Sequence, residues 1–293
     1  MGKKHLKLVL GLTGLFFILF IIFFLAFAAI FGGDGLPFGD KVAIVEVDGI
    51  ITEPDTINKQ IKDYGERDDV KAIVIRINSP GGGVGPSQEV YKEVKKVSAK
   101  KKLVASMGAV AASGGYYIAA AADKIIANPG TITGSIGVIM EFANAEELLK
   151  KIGFKGYVIK SGEYKDIGSP LRDMKESEKR LLQGVIDDVH KQFIDVVVEN
   201  RKLKVNVVKS FADGRIFSGQ QAKAIGLVDE LGNFQDAIDT AASMANIKGK
   251  PVVVYPEKKG MRLWDIIFGD AINQMIKQLK GSYGLKYLLP YGI

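Results

Sequence analysis

The sequence predicts an α/β domain built around parallel strands and preceded by one N-terminal transmembrane helix. Three observations carry that expectation. From residue 41 onward, short β-branched runs alternate with amphipathic helical stretches. Two of the strands run directly into glycine-rich segments, at 79–84 and 109–115. Ahead of the domain, residues 8–31 form a run of 24 residues without a single charge.

That run rises about 36 Å as a helix, enough to cross a hydrocarbon core with some tilt. The competing reading is a cleavable leader, for which Ala26-Phe27-Ala28 offers a small-x-small site. Leader cores span about 7–15 apolar residues, and this run is longer, so an uncleaved anchor is expected. Lys3, Lys4 and Lys7 precede the span, and Asp34 and Asp40 follow it. This places the N-terminus in the cytoplasm and the rest outside, as expected of a single-pass plasma-membrane protein. The chain then divides into a basic tail (1–7), the anchor (8–31), a Gly/Pro linker (32–40), one domain (41–255) and a C-terminal amphipathic segment (256–293). In that last segment Trp264, Ile267, Phe268, Ala271 and Met275 share a helical spacing, which suits a membrane surface, a subunit contact or core.

Within the domain, strands are expected at 42–47, 71–77, 103–107, 124–127, 156–159 and 252–255. Helices are expected at 56–68, 87–99, 116–122, 146–152, 177–200, 205–212, 219–225 and 235–245. The segment 79–84, Ser-Pro-Gly-Gly-Gly-Val, reads as a break that continues neither strand nor helix.

Composition narrows the chemistry. With no cysteine, the chain has no thiol nucleophile, thiolate zinc site or Cys-ligated cluster. Two histidines, His5 and His190, make a multi-His metal centre a poor expectation, and neither metal nor cofactor is called for. The net charge of +7 is concentrated at the two ends, so it does not describe a nucleic-acid stripe.

Ser113 stands where a small-residue loop meets an apolar helix. It is either an N-cap serine or a nucleophile facing unpaired helix amides. Gly81 and Gly82, after a strand, form either a plain turn or a cradle whose amides converge on an oxyanion. A serine nucleophile needs a base. His190 falls among Asp187, Asp188 and Lys191 on a solvated helix face, whereas Lys165 lies in a Gly/Ser/Pro loop after an expected strand. Locally, Lys165 is equally readable as an ordinary exposed lysine.

Together the segments resemble the signal peptide peptidase A family in its short, single-domain type. The matching stretches, in family order, are Arg76-Ile-Asn-Ser-Pro-Gly-Gly-Gly83, Ser106-Met-Gly-Ala-Val-Ala-Ala-Ser113-Gly-Gly-Tyr-Tyr, Ala121-Ala-Asp-Lys-Ile, Thr131-Ile-Thr-Gly-Ser135-Ile-Gly-Val, Lys160-Ser-Gly-Glu-Tyr-Lys165-Asp-Ile-Gly-Ser-Pro, Asp213-Gly-Arg-Ile-Phe-Ser-Gly-Gln-Gln-Ala-Lys and Gly226-Leu-Val-Asp-Glu-Leu-Gly232. The resemblance implies a Clp-protease/crotonase-like fold of ββα units over 41–255, and a membrane-anchored serine endopeptidase acting on residual signal peptides. It implies Ser113 as nucleophile, Lys165 as base, Ser135 as the serine that orients the lysine, and Gly81 and Gly82 as the oxyanion loop. It also implies a ring-shaped homo-oligomer, and, since this chain has one domain, that both dyad members come from that domain.

For Lys165 to accept the Ser113 proton it must be uncharged, which from about 10.4 requires burial to lower its pKa by roughly 2–3 units. The substrate pocket is expected to be apolar, with Val84, Val110 and Ile136 as lining candidates, each also readable as core. Two rival readings remain at this stage: a crotonase-like acyl-CoA enzyme on the same fold, and a non-catalytic membrane scaffold.

Overall fold

The computed structural model describes residues 3–31, 39–256 and 286–288, with side chains for 11–26 and 39–256. In chain order the elements are α1 (Lys3–Phe31), β1 (Lys41–Asp48), α2 (Asp55–Glu66), β2 (Val70–Ser79), β3 (Gly81–Gly83), α3 (Val84–Ser98), β4 (Lys102–Ala112), α4 (Gly114–Ala119), β5 (Lys124–Ala127), β6 (Ile132–Gly134), α5 (Glu146–Lys151), α6 (Glu176–Arg201), α7 (Val205–Lys209), β7 (Ile216–Ser218), α8 (Gly219–Ala224), β8 (Glu230–Leu231), α9 (Phe234–Met244), β9 (Val252–Val254) and β10 (Lys286–Leu288).

Among the described residues the main sheet runs β7-β6-β4-β2-β1-β9, with β5 and β8 branching from β4. All these pairings are parallel except β6 with β7. The strands β1 and β2 read as unbroken apolar runs because both of their faces are buried. Ala43, Val45, Ile73 and Ile75 point into the larger core, shared with α2, α3, α4 and α6, while Val42, Ile44, Ala72 and Val74 meet α9 on the other side.

Strand β4 organises the sheet by changing neighbours along its length. Its edge opposite β2 first pairs with β5 over Val104–Met107, then with β6 over Val110–Ala112. Thr131 and Thr133 fasten the second half, donating their hydroxyls to Gly108 O and Ala111 O at 2.7 Å each. Strand β4 therefore runs through to Ala112, five residues beyond the expected end, and delivers Ser113 at the strand-to-helix junction.

Three other expectations are corrected. The glycine triplet at 81–83 is itself a strand, paired antiparallel with β10 and bridged in parallel to Ile51. No strand forms at 156–159: those residues are irregular and exposed, because no neighbouring strand among the described residues offers them hydrogen bonds. His190 is only half exposed, and its Nε2 is buried, in place of the solvated position expected for it. The amphipathic pattern over 261–280 lies outside the described residues.

Helix α1 begins at Lys3 and exposes its large apolar side chains from Leu12 to Leu25. Among the described residues no helix is long and apolar enough to cross a membrane; the part of α1 with described side chains is 11–26 alone.

Away from the glycine strand, Gly219 opens α8 where an added Cβ would lie 2.1 Å from Asn128 O, a backbone atom that cannot step aside. Gly219→Ala is expected to cost about 1–3 kcal/mol, the usual cost of overpacking. Chemical denaturation reads that loss, and a variant as stable as the parent would show that the α8–Asn128 contact yields freely.

Candidate active site

Ser113 adopts φ 53° and ψ −116°, a conformation that side-chain-bearing residues rarely hold. Neighbouring structure enforces it. The Ser113 N–H donates to Gly134 O at 2.8 Å from β6, and the Ser113 carbonyl accepts from Tyr117 N at 2.8 Å in α4. The residue is 1 % exposed, yet its Oγ has no hydrogen-bond partner among the described residues. A buried hydroxyl normally finds one, so strain and an orphaned oxygen coincide on one side chain.

The glycines explain how this serine meets the glycine strand. A Cβ on Gly114 would lie 2.5 Å from Ser87 Oγ and 3.3 Å from both Gly81 Cα and Gly82 N, and one on Gly115 would lie 2.9 Å from Ser79 O. Only with both side chains absent does α4 press onto β2 and β3. Gly82 is equally constrained, since its Cβ would fall 2.1 Å from Ile51 O. Ser79, fully buried, donates its Oγ to Gly49 O at 2.6 Å and accepts from Gly81 N at 3.1 Å, while Gly83 N donates to Ile51 O at 2.8 Å.

These bonds sort the oxyanion candidates. The Gly81 amide is committed to Ser79 Oγ. Amides alternate edges along a strand, so the Gly82 N–H points away from Ile51, toward the edge where Lys286–Leu288 lies antiparallel. Of the expected pair, Gly82 points its amide to the β10 edge, where it is paired with Tyr287, and Gly81 has the φ of 106° that turns the chain into it.

Ser135 follows Gly134, the residue bonded to Ser113. It is nearly buried, has φ 51°, and donates its N–H to Arg215 O at 2.8 Å. Ser113, Ser135, Gly81 and Gly82 are thus gathered at adjoining strand ends. Lys165 is not gathered with them in the single chain. It is exposed in a turn closed by its own N–H to Gly162 O at 3.2 Å, and Ser113 Oγ bonds to neither Lys165 nor His190. From Gly137 to Ser177 no residue is buried, although Phe142, Leu148, Phe154, Tyr157, Ile159 and Leu171 all expose apolar surface; Tyr157 is 87 % and Ile159 102 % exposed.

Of the lining candidates, Ile136 is fully buried in the core, Val84 nearly so, and Val110 is half exposed. An open cleft lies elsewhere, against the Lys165-bearing segment, lined by Met140, Phe142, Asn144, Gly168, Arg172 and Met174 among others.

Several residues that organise the site escaped sequence reading. Ser79 lay within a recognised motif as a mere spacer. Glu178 is another: in the first turn of α6, its carboxylate accepts from Lys175 N at 2.8 Å.

The strain on Ser113 gives an expected outcome. Ser113→Gly, which accepts positive φ freely, should lose all peptidase activity yet gain about 1 kcal/mol of stability. Thermal unfolding beside a cleavage assay measures both, and a marked loss of stability would mean that the Ser113 conformation is not strained.

Comparison with known proteins agrees with this geometry. The model of peptidase family S49 matches residues 95–248, and that of Clp protease matches residues 51–131. A Synechocystis protein provisionally named a protease is 49% identical over 209 residues, covering 71% of this chain and 75% of the relative. An Enterococcus faecium protein provisionally named signal peptide peptidase SppA is 37% identical over 232 residues, 73% of this chain and 67% of that one. The chloroplastic serine protease SPPA of Arabidopsis thaliana is 32% identical over 260 residues, 83% of this chain and 38% of that one. With a Clp-protease-like α/β domain and a strained serine beside a glycine strand, the chain belongs to peptidase family S49 and is a serine peptidase of the SppA type.

Proposed function

We propose that this protein is a membrane-anchored endopeptidase that cleaves residual signal peptides through an acyl-enzyme on Ser113, with lysine as the base. The observation that carries the reading is the buried Ser113 Oγ, without a hydrogen-bond partner among the described residues, on the residue before Gly114, which packs against Gly82. Ser113 attacks the peptide carbonyl, the Gly82 N–H receives the developing oxyanion, and water then releases the acyl group. The uncharged apolar run at 8–31 and the lysines before it support the anchor and the extracytoplasmic placement of the domain.

The edge along β3 suits an extended peptide, because the chain's own Lys286–Leu288 backbone lies antiparallel on it. A substrate strand laid along the same edge passes the Gly82 amide and competes with that segment.

The base is Lys165 of the partner subunit in a ring-shaped homo-oligomer. Support comes from the segment 137–177, which buries nothing of its own and exposes a run of large apolar side chains. Packing against a second copy would cover that surface and desolvate the amine, which a lysine base requires. Ser135 orients the incoming amine in this reading, supported by its position next to Gly134, whose carbonyl accepts from Ser113 N. Crotonase-like acyl-CoA chemistry and a purely scaffolding role are disfavoured by the family assignment.

Ser113→Ala and Lys165→Ala should each abolish cleavage of a leader peptide in folded protein. Co-assembling the two variants should restore part of the activity, since Ser113 of one copy then meets Lys165 of the next; no recovery would place the pair in one chain, and full activity of Lys165→Ala would remove lysine from the mechanism. Only the neutral amine accepts a proton, so activity should rise with pH; a profile flat from about pH 6 to 10 contradicts a lysine base. Tyr287→Pro, which removes a backbone N–H from β10, should lower KM and leave kcat unchanged, and an unchanged KM would show that β10 and substrate do not share the edge.

A further inference from the structure

We propose that Arg172 is a positioning residue for Lys165, tying the turn that carries the base to the buried start of α6. The inference rests on the reading of Lys165 as the base. Arg172 has two faces in use. One forks onto Asp166, with Nε to Oδ2 and Nη2 to Oδ1 both at 2.9 Å, and Nη2 also reaches Asp166 O at 3.3 Å. The other forks onto Glu178, with Nη1 to Oε2 at 2.8 Å and Nη2 to Oε1 at 2.5 Å.

Glu178 is fully buried and fixed, because its carboxylate accepts from Lys175 N at 2.8 Å at the start of α6. Asp166 is the residue next to Lys165. Lys160 completes the knot, with Nζ 2.5 Å from Asp166 Oδ1 and 2.7 Å from Glu163 O.

Two arguments separate this arrangement from ordinary helix capping. Capping α6 needs only Glu178 and Lys175; the fork onto Asp166 adds nothing to it. In a stretch where nothing is buried from Gly137 to Ser177, apolar packing does not hold the turn, so bidentate ion pairing takes that role. The second argument is electrostatic. An uncompensated carboxylate beside Lys165 would favour the ammonium and oppose its use as a base. Arg172 and Lys160 hold Asp166 well below the usual carboxylate range, so it stays ionised with its charge answered, and Arg172 keeps Glu178 down at about 2. The charged groups around the turn are Lys160, Glu163, Asp166, Arg172, Asp173, Lys175 and Glu178, with Lys175 at 3.8 Å from Glu163.

The test uses the full chain with a leader peptide, measuring kcat and KM across pH together with thermal stability. Arg172→Gln should lower kcat about 10- to 100-fold, the usual effect of misplacing a catalytic group by a fraction of an ångström to an ångström. KM should hold, and the rising limb should move to higher pH, because the Asp166 charge is now unanswered. Arg172→Lys should bring the limb back while recovering only part of kcat, since it restores charge without the fork. Asp166→Asn should move the limb the other way, to lower pH, and it decides the matter if Arg172→Gln fails to fold. A lowered melting temperature with kcat and pH profile unchanged in Arg172→Gln, or an unmoved limb in Asp166→Asn, overturns the proposal. Full activity in Lys165→Ala instead overturns the base assignment beneath it.

Discussion

The close approach of α4 to the glycine strand is the constraint on which the site depends. Gly114 and Gly115 must lack side chains for the helix to settle on Ser79, Gly81 and Gly82, and Gly82 must lack one to pass Ile51 O. That contact fixes where β4 can end, and the end of β4 forces Ser113 into positive φ. Two backbone-to-backbone approaches, of α4 to the glycine strand and of Gly82 to Ile51, thus set the geometry of the serine and the direction of the Gly82 amide. Preorganised dipoles of this kind cost nothing at the moment of reaction because the fold has already oriented them.

The sheet supplies the rigidity behind that approach. Strand β4 borrows one set of neighbours for its first half and another for its second, with β2 alongside throughout apart from an irregularity near Ser79. A strand held on both edges resists the recoil expected from a strained residue at its tip. Buried polar anchors reinforce it: Thr131, Thr133 and Ser79 all give their hydroxyls to backbone carbonyls at the level of the site.

Much of the fold was legible in the sequence because its signals are local. The runs at 42–47 and 71–77 read as strands since both faces are buried, and the strand ends were marked by glycine. Ser113, Gly82 and Ser135 were legible as motif residues, and the structure places them at adjoining strand ends. What the sequence did not convey depends on partners far along the chain. The pairing of β3 with β10 joins residues about two hundred positions apart, and no pattern in Gly81–Gly83 announces it. The apolar stretch 156–159 carries the composition of a strand, but composition does not provide a neighbour to bond with. The Arg172 fork was invisible for a related reason: ion pairs follow tertiary placement.

The unburied segment 137–177 has a consequence for when the protein becomes dangerous. Since it adds nothing to the interior, the domain gains its compact form without committing the lysine to the serine. On the reading in which a second copy supplies that lysine, a newly made chain is folded but harmless, and dilution keeps it so. On that reading local abundance decides the onset of proteolysis, with no inhibitor required.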